Sequence, residues 1–161
     1  MIQSAEALQT LSSGWFLEHA WLIPVVPAIA FFIIILFGKK LPMKGSEIGL
    51  LSMLSSLVLA GGTAMQWIDR VGSGAEGQFI APVVRTWNWW QIGGMKFTIG
   101  QSIDGLAVIV LVVVAFISTL VQLYSTEYLK GDRRYTHFFA ALTLFSAGML
   151  AMVVAEDMIL F

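Results

Sequence analysis

The chain has 161 residues, 58% of them hydrophobic and 12% charged, with a formal net charge of -1 and no cysteine. A soluble domain carries about a quarter charged residues, so a chain this apolar needs lipid as part of its solvent, and a bilayer is its first expected partner. The near-zero net charge gives no reason to expect nucleic acid, and the lack of cysteine excludes thiolate metal sites, disulfides and thiol chemistry.

The N-terminal residues 1–19 carry Glu6 and Glu18 but no Lys or Arg. The basic start of a cleaved signal is therefore missing, and the first apolar run reads as a retained span. Crossing the hydrocarbon core takes about 20 residues at 1.5 Å each. Four windows meet that need: 20–37, 48–68, 106–124 and 138–155. None contains Asp, Glu, Lys, Arg or His, each of which costs roughly 3 kcal/mol at the bilayer centre. The expected fold class is an all-α membrane protein with four transmembrane helices.

In the first span, Pro24 and Pro27 fall in the opening turns, where a proline costs little. Its 31–37 run is bulky all round and is expected to face lipid. The second span carries Ser52, Ser56, Ala60 and Ala64, and the fourth carries Thr143, Ala147, Ala151 and Ala155. Spacing by four puts each set along one helix face, where small side chains let backbones approach closely.

Between the second and third spans the period changes. Met95, Phe97 and Ile99 alternate with Lys96 and Thr98, which is a strand pattern. Gly93 and Gly94 can supply the positive φ values of a two-residue turn. A small β-hairpin over 86–100 is expected, with Trp87, Trp89 and Trp90 at headgroup level. Gly72, Gly74 and Gly77 lack the strand–helix context of a dinucleotide fingerprint and read as linker. After Glu156 and Asp157, the apolar residues 158–161 read as the start of a fifth helix, so that 1–161 is the N-terminal transmembrane segment of a longer chain.

Orientation follows from the basic residues. Loop 38–47 holds Lys39, Lys40 and Lys44, and loop 125–137 holds Lys130, Arg133 and Arg134. Short basic loops stay in the cytoplasm. The N-terminus and the hairpin are therefore expected on the extracytoplasmic side of the membrane.

Few residues could carry chemistry. Asp104 precedes the third span and suits an N-cap. Glu127 and His137 fall at helix ends, so Asp104, Glu127 and His137 are the candidates for handling protons at the interface. His19, beside Trp21, reads as an interface anchor. There is no nucleophile with a base, no paired-carboxylate site and no phosphate loop. No catalytic, cofactor-binding or metal-ligating residue is expected, and no cofactor or small-molecule ligand on this chain. Buried ionisable residues mark most proton pathways, and the spans hold none.

Specific stretches then narrow the reading. They are 104–106 (Asp-Gly-Leu), 122–129 (Gln-Leu-Tyr-Ser-Thr-Glu-Tyr-Leu), 135–140 (Tyr-Thr-His-Phe-Phe-Ala) and 155–161 (Ala-Glu-Asp-Met-Ile-Leu-Phe). Together they resemble the antiporter-like subunit L of bacterial NADH:quinone oxidoreductase, respiratory complex I. Residues 21–24 and the hairpin are similar to the beginning of that subunit. Three positions depart from the pattern: Ala107 stands where Ser is frequent, Gln122 where His is frequent, and His137 where Arg is frequent. The resemblance implies a non-redox subunit of a translocase that packs helices around a proton-pumping module, with other membrane subunits of a respiratory complex as partners. It also implies a Gly-Trp-Glu motif shortly after residue 161. FMN, iron–sulfur clusters and quinone would belong to other subunits. Two alternatives stand beside it: a subunit of a multi-subunit Na⁺/H⁺ antiporter or membrane hydrogenase, and a stand-alone four-helix membrane scaffold.

Overall fold

A computed structural model of the chain describes residues 14–41, 44–73, 80, 82–92 and 95–155, with the side chains of 89–99 excepted. In chain order the elements are α1 (Trp15–Glu18), α2 (Leu22–Phe37), a 3₁₀ turn (Gly38–Lys40), α3 (Ser46–Ser73), β1 (Val83–Ile92), β2 (Met95–Ile103), α4 (Gly105–Tyr128) and α5 (Tyr135–Val154). The four long helices are each long and apolar enough to cross a membrane. They match the four expected spans, but their ends differ. α3 runs on through Asp69 and Arg70 to Ser73, and α4 runs on to Tyr128. A charge ends a hydropathic window, whereas a helix needs only its backbone ladder and can continue into water.

Antiparallel β1 and β2 form a two-stranded ribbon wider than the expected 86–100, pairing Val83 with Ile103 at its open end. Asn88 pairs with Thr98 and Trp90 with Phe97, so Trp89 is the extra residue of a bulge. The expected turn at Gly93 and Gly94, the side chains of Trp89 and Trp90, Glu156, Asp157 and the expected fifth helix from 158 lie outside the described residues. Trp87 is exposed.

The helices close into a bundle: α2 packs on α3 and α5, α3 on α4, and α4 on α5. One core cluster joins Leu17, Ile23, Met53, Ala60, Leu111, Ala115 and Leu150 with Ile103 of the ribbon. The small-residue face of α3 is buried at Ser52, Ser56 and Ala60. That of α5 is buried at Thr143 and Ala147, but Ala151 is exposed, so the fourth-span stripe ends one turn early. The first span also departs from the expected all-round lipid face. Phe32, Ile35, Leu36 and Phe37 are exposed, yet Ala30 and Ile34 of the same helix are buried in the bundle.

The prolines divide. Pro24 sits in the first turn of α2, where no backbone N–H is needed, but Pro27 lies inside the helix. Proline at 27 removes the N–H that would bond to the carbonyl of Ile23. That carbonyl is instead taken by Ser56 of α3, whose Oγ donates to Ile23 O at 2.9 Å, buried. Ser56 is therefore more than a small residue on a packing stripe. It replaces the missing ladder bond from the next helix, a common way for prolines to be tolerated in membrane helices.

Candidate functional site

Charged side chains gather where the helices end. At one end of the bundle, Gly38 carries the chain from α2 into the 3₁₀ turn. A Cβ at Gly38 would lie 2.5 Å from the Thr136 methyl of α5, so only glycine allows this close approach. Lys44 and Gly45 then take positive φ values of 55° and 98° and turn the chain into α3. Across from them the α4–α5 connection turns at Gly131, φ 94°, and Asp132 Oδ1 accepts the backbone N–H of Arg134. The two turns face each other across a basin of about 600 Å³ lined by Lys39, Lys44, Arg133, Arg134, Thr136 and His137. Among the described residues no carboxylate lines it.

The three expected proton-handling residues are not brought together. Asp104 is the N-cap of α4, and its Oδ1 accepts the Ala107 N–H at 2.7 Å. Glu127 lies near the other end of that helix, about 34 Å away at 1.5 Å per residue. It is exposed and bonded to Lys130 Nζ at 2.6 Å. His137, in the first turn of α5, is the one that reaches the basin. His19 stacks on Trp15 at 4.7 Å and bonds its carbonyl through Nδ1 at 2.9 Å.

Inside the bundle the polar groups are neutral. Thr119 and Thr143 donate to the carbonyls four residues earlier, Ala115 and Phe139. Ser52 donates to Gly49 O. Gln122, fully buried, donates from Nε2 to Thr143 Oγ1 at 3.2 Å, while its Oε1 has no partner among the described residues. Gly49 makes the room for this amide, since a Cβ there would stand 3.1 Å from Gln122 Oε1 and 3.2 Å from Thr143 Oγ1. Hydroxyls and amides of this kind do not titrate near neutral pH, and of these bonds the Gln122–Thr143 one crosses between helices, linking α4 to α5 without a group that changes charge. Among the described residues no group of three or more His, Asp or Glu could hold a metal ion.

Two further glutamines, without a charge to mark them in the sequence, organise the opposite end. α1 has only four residues, far too short to persist alone, and it is held at both ends. Gln66 of α3 accepts the N–H groups of Phe16 and Leu17 through Oε1, at 3.0 and 3.2 Å. Gln101 of β2 donates from Nε2 to the carbonyls of Leu17 and Glu18, both at 3.1 Å, and accepts the Trp21 N–H through Oε1 at 2.9 Å. Arg85 adds a 3.6 Å ion pair to Glu18. A scan for charged residues cannot find these amides; their one local signal is a polar residue inside or beside an apolar run.

Residues 89–139 match the family described as NADH-Ubiquinone oxidoreductase (complex I), chain 5 N-terminus. The chain is 30% identical over 142 residues to the F(420)H(2) dehydrogenase subunit L of Methanosarcina mazei, a match covering 88% of this chain and 19% of that protein. It is 27% identical over 144 residues to the NADH-quinone oxidoreductase subunit L of Buchnera aphidicola, covering 89% of this chain and 22% of that one. It is 28% identical over 149 residues to the NAD(P)H-quinone oxidoreductase chain 5 of Synechocystis sp., covering 88% and 21%. The chain thus spans about a fifth of the length of the curated relatives it matches.

Proposed function

We propose that this homologue of the subunit L and subunit 5 proteins of complex I is the N-terminal, helix-packing part of a proton-translocating membrane subunit. That subunit would work in an NADH:quinone oxidoreductase or a related complex. The observation that carries the reading is the bundle interior: four membrane-length helices whose buried polar side chains are Ser, Thr and Gln, without a buried Asp, Glu, Lys, Arg or His among the described residues. Such an interior supports packing. It offers no site at which a proton could be held at the bilayer centre. Proton handling on this chain is confined in this reading to the helix ends, at Asp104, Glu127 and His137. Redox cofactors belong to other subunits, and none is assigned to this chain. The match to an F(420)H(2) dehydrogenase subunit favours a second version, in which the same packing role serves a complex with a different electron donor.

The test is association. The chain, carrying an affinity tag and isolated in mild detergent from its own host, is expected to bring down other membrane subunits of one quinone-reducing complex. Isolation free of any such subunit, from membranes that contain the complex, contradicts the assignment.

The orientation belongs to the same proposal. The basin end holds both basic loops and would face the cytoplasm of a bacterial inner membrane, which puts the ribbon and α1 outside. A cysteine at Lys40 should react with a membrane-impermeant maleimide only after the cytoplasmic face is opened. Labelling in intact cells would reverse the orientation.

A further inference from the structure

We propose that the basin between the two basic turns is a binding site for the phosphate group of an anionic phospholipid. Lys39 and Lys44 form one wall, and Arg133 and Arg134 the other. None of the four makes an ion pair with a described residue; the Arg85–Glu18 and Lys130–Glu127 pairs lie elsewhere. Four unpaired cations around one hollow repel one another, and an anion seated among them removes that repulsion. Asp132, beside Arg133 in sequence, accepts the Arg134 backbone N–H, and neither it nor Glu47, three residues past Lys44, is among the described residues that line the hollow.

Two further features favour an anion. Thr136 and His137 belong to the first turn of α5, whose N–H groups lack intrahelical partners and carry the positive end of the helix dipole. The walls are also set in advance by backbone, since the close approach of Gly38 to Thr136 and the Lys44–Gly45 turn hold the two loops in place.

Lipid is favoured over an acidic protein segment by what borders the basin. Leu36 and Phe37, just before the lysine turn, and Phe138, just after His137, are exposed on the helix bodies at 70%, 52% and 41%. A phosphate among the cations with acyl chains along these side chains satisfies both surfaces at once. Basic hollows between membrane helices bind such headgroups.

The test uses the full chain, delipidated in detergent and titrated with phosphatidylglycerol, phosphatidylcholine or inorganic phosphate, with bound lipid counted by native mass spectrometry. Phosphatidylglycerol is expected to bind at least tenfold more tightly than phosphatidylcholine. The double variant Lys44→Gln/Arg133→Gln should weaken phosphatidylglycerol by about twenty-five-fold, at roughly fivefold per lost charge. The charge-matched control Arg70→Gln/Lys96→Gln, at the opposite end of the bundle, should leave it within about twofold of the parent. If the basin pair fails to fold, Arg134→Gln alone carries the test, with an expected loss of about fivefold. Equal binding of the two lipids overturns the proposal. So does an equal loss in the control pair, and so does displacement of phosphatidylglycerol by millimolar inorganic phosphate, which would make the basin a free-anion site. Protection of a Lys44→Cys label by a protein in native membranes, persisting after lipid extraction, would assign the basin to an acidic partner segment instead.

Discussion

Replacing Gln101 with leucine is expected to destabilise the chain by about 3 kcal/mol, read as a lowered thermal unfolding midpoint in detergent. Leucine has a similar size, so the loss would not come from a cavity. It would come from three backbone groups, the carbonyls of Leu17 and Glu18 and the N–H of Trp21, which Gln101 serves from a side chain only 1% exposed. A buried group stripped of its partner costs about 1–3 kcal/mol. The Glu18 carbonyl keeps a long 3.4 Å contact from Arg85, which trims the total. Gln101→Glu separates hydrogen bonding from size. It keeps the acceptor for Trp21 but sets a carboxylate against two carbonyl oxygens, so it should be at least as damaging as leucine. If both variants unfold with the parent, the amide does not hold α1 and the start of α2 to the ribbon.

The second large effect concerns Ser56 and Pro27. Ser56→Ala is expected to cost about 2 kcal/mol, because it leaves the Ile23 carbonyl buried and unpaired. In a Pro27→Ala background the same substitution should cost less than about 0.5 kcal/mol, since residue 27 then has an N–H that closes the helical ladder onto Ile23. The coupling between the two sites, rather than either single effect, is the readout. Pro27→Ala alters packing at a buried position, but that change enters both halves of the cycle. An unchanged cost for Ser56→Ala in the two backgrounds would mean that the hydroxyl does not stand in for the ladder bond.

These two contacts mark the limit of what the sequence reveals. The spans were legible because burial in lipid leaves a direct trace: long windows without a charge, each ended by Lys, Asp or Glu. The ribbon was legible from its period of two, and the Asp104 cap from an acid just ahead of an apolar run. Helix ends were less so. Asp69 and Arg70 stop the hydropathic window, while the hydrogen-bond ladder of α3 continues past them. Contacts between residues far apart in sequence left no local trace. Ser56 looked like one member of a small-residue stripe until Ile23 was seen opposite, and Gln101 lies 84 residues from the Leu17 carbonyl it caps. Asp104, Glu127 and His137 share only their places at helix ends, and the basic loops already set the first apart from the other two. The fold adds that His137 alone of the three joins the basic basin.

The proposed role requires a bundle that packs and does not conduct. Its interior polar groups are uncharged, and each ionisable candidate stands at a helix end. Proton flux across liposomes containing the purified chain is measured with an entrapped pH-sensitive dye under an imposed potential. A rate equal to that of protein-free vesicles is expected. A flux several-fold higher that scales with the amount of chain incorporated would contradict it.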